Sequence, residues 1–175
     1  QLHREKYTTA SWNAFTAALM AARQVLEDDA ASEAQVQEAH RMLTDAMTAL
    51  QLLGDKSALQ NAMDLAKVLM ESGRYDQESL TELAALMDQA QAILDREEAT
   101  QEEIGAMGEA LTRAMAKVRL IQLVKESGQL TASNYTSASW SRMTAARQAA
   151  LSALSDENAG ADALNRQFSL LQKAV

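Results

Sequence analysis

One phrase occurs three times in this chain, and it limits the fold more than any other feature. Tyr7-Thr8-Thr9-Ala10-Ser11-Trp12 returns as Tyr135-Thr136-Ser137-Ala138-Ser139-Trp140, and with less likeness as Tyr75-Asp76-Gln77-Glu78-Ser79-Leu80. Offsets of 68 and 128 residues superpose the copies without a gap from the tyrosine onward. Trp12, Phe15, Leu19, Ala22 and Leu26 then align with Leu80, Leu83, Met87, Ala90 and Leu94, and with Trp140, Met143, Arg147, Ala150 and Leu154. Steps of three and four place each set on one stripe of an α-helix. Beyond an acidic break, Val36, His40, Leu43, Met47 and Leu50 align with Ile104, Gly108, Leu111, Met115 and Val118, and in part with Leu164, Phe168, Leu171 and Val175. A period of this length means tandem helical units, each burying its apolar stripes against its own neighbours.

The boundaries follow. Residues 1–53 form a first repeat whose opening helix is mostly missing, with Leu2 in register with Met70 and Leu130. Residues 54–119 form a complete second repeat, and residues 120–175 a third whose last helix is cut short. Gln1 reads as the edge of a fragment, and no signal peptide stands there. Ser32 with Gln35, and Thr100 with Glu103, read as capping boxes that start helices. The helix after Ser32 is expected to run to about Leu53, with Gly54 as a left-handed cap. Ser72-Gly73 is expected to break the chain again. From Val118 to Tyr135 the chain is 8 residues shorter than from Leu50 to Tyr75, and it has no glycine before Gly128. One helix shared by the second and third repeats is therefore expected across Val118–Glu126. The fold class is all-α: tandem three-helix bundles forming an elongated rod.

Composition narrows the chemistry. The 175 residues include no cysteine, so disulfides, thiol catalysis and thiolate metal sites are excluded. They include no proline either, as suits a chain that is nearly all helix. The net charge of −8 is uneven: residues 1–52 carry 4 basic and 7 acidic side chains, 53–119 carry 7 and 13, and 120–175 carry 5 and 4. An acidic chain without a basic stripe is a poor ligand for nucleic acid or for an anionic membrane. No stretch approaches the ~20 apolar residues of a membrane span.

These residues carry a resemblance. Tyr-Thr-x-x-Ser-Trp, a helix ending in Val-Leu or Ala-Leu, an Ala-Thr or Ala-Ser break, and a helix with Val/Ile-x-x-Ala-x-x-x-Leu spacing resemble the FIVAR repeat family. The likeness is best over Tyr7–Leu50 and Tyr135–Val175, while Tyr75–Val118 keeps the pattern with Leu80 in place of tryptophan. The resemblance implies three-helix bundles in tandem within large bacterial surface or secreted proteins, among them adhesins and multimodular enzymes acting on glycans or proteins. Neighbouring bundles of that family can share a long helix, some members lie beside dockerin modules, and an older label calls the domain sugar-binding. The implied location is extracellular or on the bacterial cell surface. No catalytic residue comes with the resemblance, and no cofactor or metal is expected.

Four side chains are candidate ligand contacts. Trp12 and Trp140 suit stacking on a sugar ring, with the Tyr7 and Tyr135 hydroxyls beside them. The competing reading makes each tryptophan the first stripe residue of its helix, with the tyrosine bracing the loop. Leu80 in the second copy favours packing, because leucine fills a core but cannot stack on a sugar. His3 and His40 form no His-x-x-x-His pair, and His40 reads as a packed or half-buried ring. The acidic groups at Glu27–Asp29, Asp95–Glu98 and Glu102–Glu103 lack the alternation of a calcium loop. Arg147, on an apolar stripe, either snorkels or touches a neighbouring bundle. The expected function is a non-catalytic spacer that positions neighbouring domains of the same protein. The alternatives are a protein-binding module contacting a host or cell-wall protein, and a carbohydrate-binding module.

Overall fold

The computed structural model describes residues 2–175, and it is all-α. Seven α-helices follow one another among the described residues: α1 Thr9–Glu27, α2 Glu33–Thr48, α3 Ser57–Glu71, α4 Gln77–Asp95, α5 Gln101–Gly128, α6 Ser137–Ser155 and α7 Ala161–Ala174. Short 3₁₀ turns at Arg4–Lys6 and Ala132–Asn134 precede two of the tyrosines. The chain divides into two compact units, Gln1–Lys56 with Ile93–Ile104, and Ser57–Ala92 with Gly105–Val175.

The local signals worked where the chemistry is local. Thr8 and Thr136 cap α1 and α6, each hydroxyl accepting from the backbone N–H three residues on. Ser32 and Gln35 complete a reciprocal capping box on α2, as do Thr100 and Glu103 on α5. Asp76 accepts from the Ser79 N–H at 2.8 Å. Gly73, at φ 67°, ends α3 in the left-handed region that costs other residues most. The expected helix across Val118–Glu126 is present, since α5 runs unbroken for 28 residues.

In the first unit α1 packs on α2. Phe15 and Ala18 are buried, but none of the described residues of α2 is. Val36 is 42% exposed, whereas its counterpart Ile104 is 2% exposed. His40 is exposed as well, contrary to the packed ring expected, because little lies over this face of α2.

The second expectation to fail is the end of α2. The helix stops at Thr48, five residues before Leu53, although the sequence remains apolar. Residues 51–53 are extended instead, and their backbone groups pair elsewhere. Leu52 bridges Tyr7, and Leu53 bridges Thr100. Gly54 is not a left-handed cap, since Gly73 holds the positive φ. It is needed for close approach: a Cβ there would lie 2.3 Å from Ile104 Cδ1 and 3.0 Å from Gln101 N.

The second unit has the larger core. Leu59, Met63 and Ala66 of α3 and Leu80, Leu83 and Ala90 of α4 are buried. Ala116, Leu120 and Val124 of α5 form one cluster with Ala150 of α6 and Leu164 and Leu171 of α7. Arg147 makes neither a free snorkel nor a contact between bundles. Its Nε donates to the Val124 carbonyl at 3.3 Å, near the end of α5, where the free carbonyls and the helix dipole favour a cation.

Candidate functional site

The three copies of the tyrosine phrase are the natural place to look, and in two of them the tyrosine ring meets the tryptophan. Tyr7 stacks on Trp12, with ring centroids 5.7 Å apart and planes at 26°, and Trp12 meets Phe15 at 5.5 Å and 57°. Tyr135 meets Trp140 at 6.0 Å and 34°. Such offset pairs add about 0.5–1.5 kcal/mol to the burial of area. Both tryptophans are half-buried, as is Tyr7, while Tyr135 is 38% exposed. Tyr135, Trp140, Met143 and Val175 pack closely together. The two pairs belong to different units.

Around Tyr7 the backbone does the joining. Thr8 N–H donates to the Gln51 carbonyl at 2.9 Å, Leu53 N–H to the Lys6 carbonyl at 2.8 Å, and Gln51 N–H to Ser11 Oγ at 3.2 Å. The far edge of the same segment pairs with the corner between α4 and α5. Gly54 N–H donates to the Ala99 carbonyl at 2.9 Å, and Gln101 N–H to the Leu52 carbonyl at 3.2 Å. Glu98 then reaches the start of α1, its carboxylate accepting from Thr9 N–H at 3.0 Å and from the Thr9 hydroxyl. An acid at a helix N-terminus is favoured by the dipole and by free N–H groups. The Thr9 hydroxyl, and then its N–H, hold the Glu98 carboxyl below its ordinary value. Residues 6–9, 51–54 and 98–101 are thus one knot, joining the copy that begins at Tyr7 to the loop of the copy that begins at Tyr75.

Four further ties rest on cations that the sequence does not single out. Lys56 Nζ donates to the Leu94 carbonyl at 2.9 Å and to that of Arg96, closing the α4–α5 corner. Arg113 does the same for the α6–α7 corner, its Nε donating to the Ala159 carbonyl at 2.8 Å and its Nη2 to that of Glu157. Lys125 pairs with Asp76 and Lys117 with Glu82, linking α5 to α4 and the loop before it. The Lys125 ammonium and then the Ser79 hydroxyl hold the Asp76 carboxyl well below the usual carboxylate range. None of these partners is a fixed number of residues apart, so no motif announces them. Glu98 alone had a local sign, as part of an acidic break whose charge needs a use.

Among the described residues, no group of three or more His, Asp or Glu side chains is placed to hold a metal ion. Nor is any helix long and apolar enough to cross a membrane. Repeated caps, aromatic corners and backbone knots define a helical repeat module. The chain belongs to the FIVAR domain family, whose model matches residues 2–51 and 55–119. It is 26% identical to the polysaccharide lyase 8 family protein HylA of Enterococcus faecalis (strain ATCC 700802 / V583), over 79% of this chain and 11% of the relative. The chain therefore spans about a tenth of that relative's length. No solved structure matches it.

Proposed function

We propose that the chain is a non-catalytic spacer of a large extracellular or cell-surface protein, holding neighbouring domains apart. The observation that carries this reading is the knot at residues 6–9, 51–54 and 98–101. It ties one repeat to the next through backbone hydrogen bonds and the Glu98–Thr9 cap. A spacer needs such joints, because a chain of free beads transmits neither distance nor direction. The unbroken α5 supports a second joint, with the second and third repeats (54–119 and 120–175) sharing one helix. The relative HylA is named as a polysaccharide lyase 8 family protein, and a match to only 11% of its length suits one module among others in a parent of this kind. In that setting this segment contributes reach, and the chemistry belongs to other domains.

Small-angle X-ray scattering tests the reading. A compact chain of this length has a radius of gyration of about 16 Å. A rod of linked bundles gives more than about 20 Å. A value near 16 Å, with a compact pair-distance distribution, would reject the spacer.

Protein binding is the second reading, favoured by apolar side chains left exposed on α1 and α2: Met20, Leu26, Val36 and Met47. Carbohydrate binding through Tyr7, Trp12, Tyr135 and Trp140 is a third, and it requires rings freer than these stacked pairs.

A further inference from the structure

The second repeat differs from its neighbours at one place, and the difference opens a site. Tyr7 and Tyr135 lean on Trp12 and Trp140, but the residue in the tryptophan's place after Tyr75 is Leu80, which is buried. Tyr75 therefore has no indole to stack on. It is half-buried and borders two adjoining clefts of about 370 and 470 Å³, which share Arg74, Tyr75 and Arg119. The first cleft is mainly apolar, with Leu65, Val68 and Met115 in its lining, although Ser72, Thr112 and Asn165 border it too. Leu65 and Val68 lie off the buried stripe of α3, and both are exposed. The second is the more polar of the two, with Gln122 and Gln172 beside Leu123 and Phe168.

The two arginines border both clefts with their charge unpaired. Among the described residues Lys117 and Lys125 are held by Glu82 and Asp76, and Arg113 by carbonyls, whereas Arg74 and Arg119 form no ion pair. Arg119 lies 4.8 Å over the Phe168 ring, a cation–π contact that orients the guanidinium plane and leaves its N–H edge free. An edge of this kind suits a planar carboxylate. Glu126, on the polar rim, accepts from Gln122 at 2.8 Å and repels an anion from that side, which directs it toward Arg74 and Arg119.

We propose that this double cleft binds a peptide segment carrying an apolar side chain next to a carboxylate. The apolar group lies against Leu65, Val68 and Met115, and the carboxylate meets Arg74 and Arg119 beside the Tyr75 hydroxyl. The site needs no assumption about the spacer role, and it gives the protein-binding reading a location.

The test is a titration of the ¹⁵N-labelled chain with three probes, followed by amide chemical shifts. N-acetyl-leucine has both groups, N-acetyl-leucinamide lacks the charge, and glucuronate lacks the apolar side chain. N-acetyl-leucine is expected to give saturable shifts around residues 65–75, 115–122 and 165–172. The other two probes should bind about tenfold more weakly, and Arg119→Gln and Arg74→Gln should each weaken N-acetyl-leucine about fivefold. Arg74 lies outside any helix and its loss leaves the Phe168 contact intact, so R74Q reports on binding even if R119Q disturbs the fold. Equal binding of the amide removes the carboxylate from the proposal. Glucuronate binding as tightly as N-acetyl-leucine makes the cleft a sugar site. Absence of saturable shifts with N-acetyl-leucine, or shifts elsewhere only, overturns it altogether.

Discussion

Replacing Gly54 by alanine separates two views of this residue. If Gly54 were only a flexible break between helices, a methyl group there would restrict the unfolded chain and stabilise the protein by about 0.4–1 kcal/mol. The structure predicts the opposite sign. The added Cβ would lie 2.3 Å from Ile104 Cδ1 and 3.0 Å from both Gln101 N and Thr100 C. Ile104 Cδ1 is the end of a side chain and can rotate, although Ile104 is buried. The two backbone atoms cannot yield without breaking the bonds from Gly54 N–H to Ala99 and from Gln101 N–H to Leu52. Overpacking of this kind costs about 1–3 kcal/mol. Gly105→Ala is the control: its Cβ meets nothing within 4 Å, and removing a helical glycine gains up to about 1 kcal/mol. Urea unfolding of both variants, read by circular dichroism, should move the midpoints in opposite directions. A neutral or stabilising Gly54→Ala would refute the close-approach argument and with it the tight joint at residues 52–54.

The repeats should also differ where they are aligned. Ile104→Ala is expected to cost about 2–5 kcal/mol and Val36→Ala less than about 1, because the first side chain is buried and the second is not; equal losses in urea unfolding would mean that α2 is covered after all. Glu98→Gln tests the cap on α1 by its pH dependence. The Glu98 carboxyl is depressed in the folded state, so its contribution is present above the unfolded value and lost as pH falls through the lower folded one. The gap in stability between wild type and Glu98→Gln should therefore shrink below about pH 4; a gap that stays constant from pH 7 to pH 2.5 would leave the cap without support.

What could be read from the sequence was what the chain decides over a few residues. The capping boxes at Ser32 and Thr100 involve partners three residues apart, and Gly73 acts through its own φ. The continuity of α5 followed from a missing break and a shortened interval. What could not be read depended on residues far away. Leu50, Leu52 and Leu53 continue an apolar pattern, yet residues 51–53 leave the helix because Tyr7 and Thr100 offer backbone partners about 45 residues to either side. Gly54 serves Ile104 rather than its own helix, and Arg147 serves the end of α5. The pattern at His40 matched positions that are better covered in the other copies, so its exposure was hidden by the alignment itself. The aromatic phrase was visible at once, but whether its rings bind or pack depends on what stands around them.

The claim that these aromatic phrases pack within the bundles rather than bind a ligand is tested most directly at Trp140. Its ring is half-buried against Tyr135, so Trp140→Ala should cost about 2 kcal/mol, less than the 3–5 of a fully buried tryptophan. The decisive measurement follows thermal melting and retention on a glycan column for wild type and Trp140→Ala together. The spacer account predicts a lower melting temperature and no glycan retention by either protein. Unchanged melting, with retention by the wild type that the variant loses, would contradict it and make the aromatic corner a sugar-binding site.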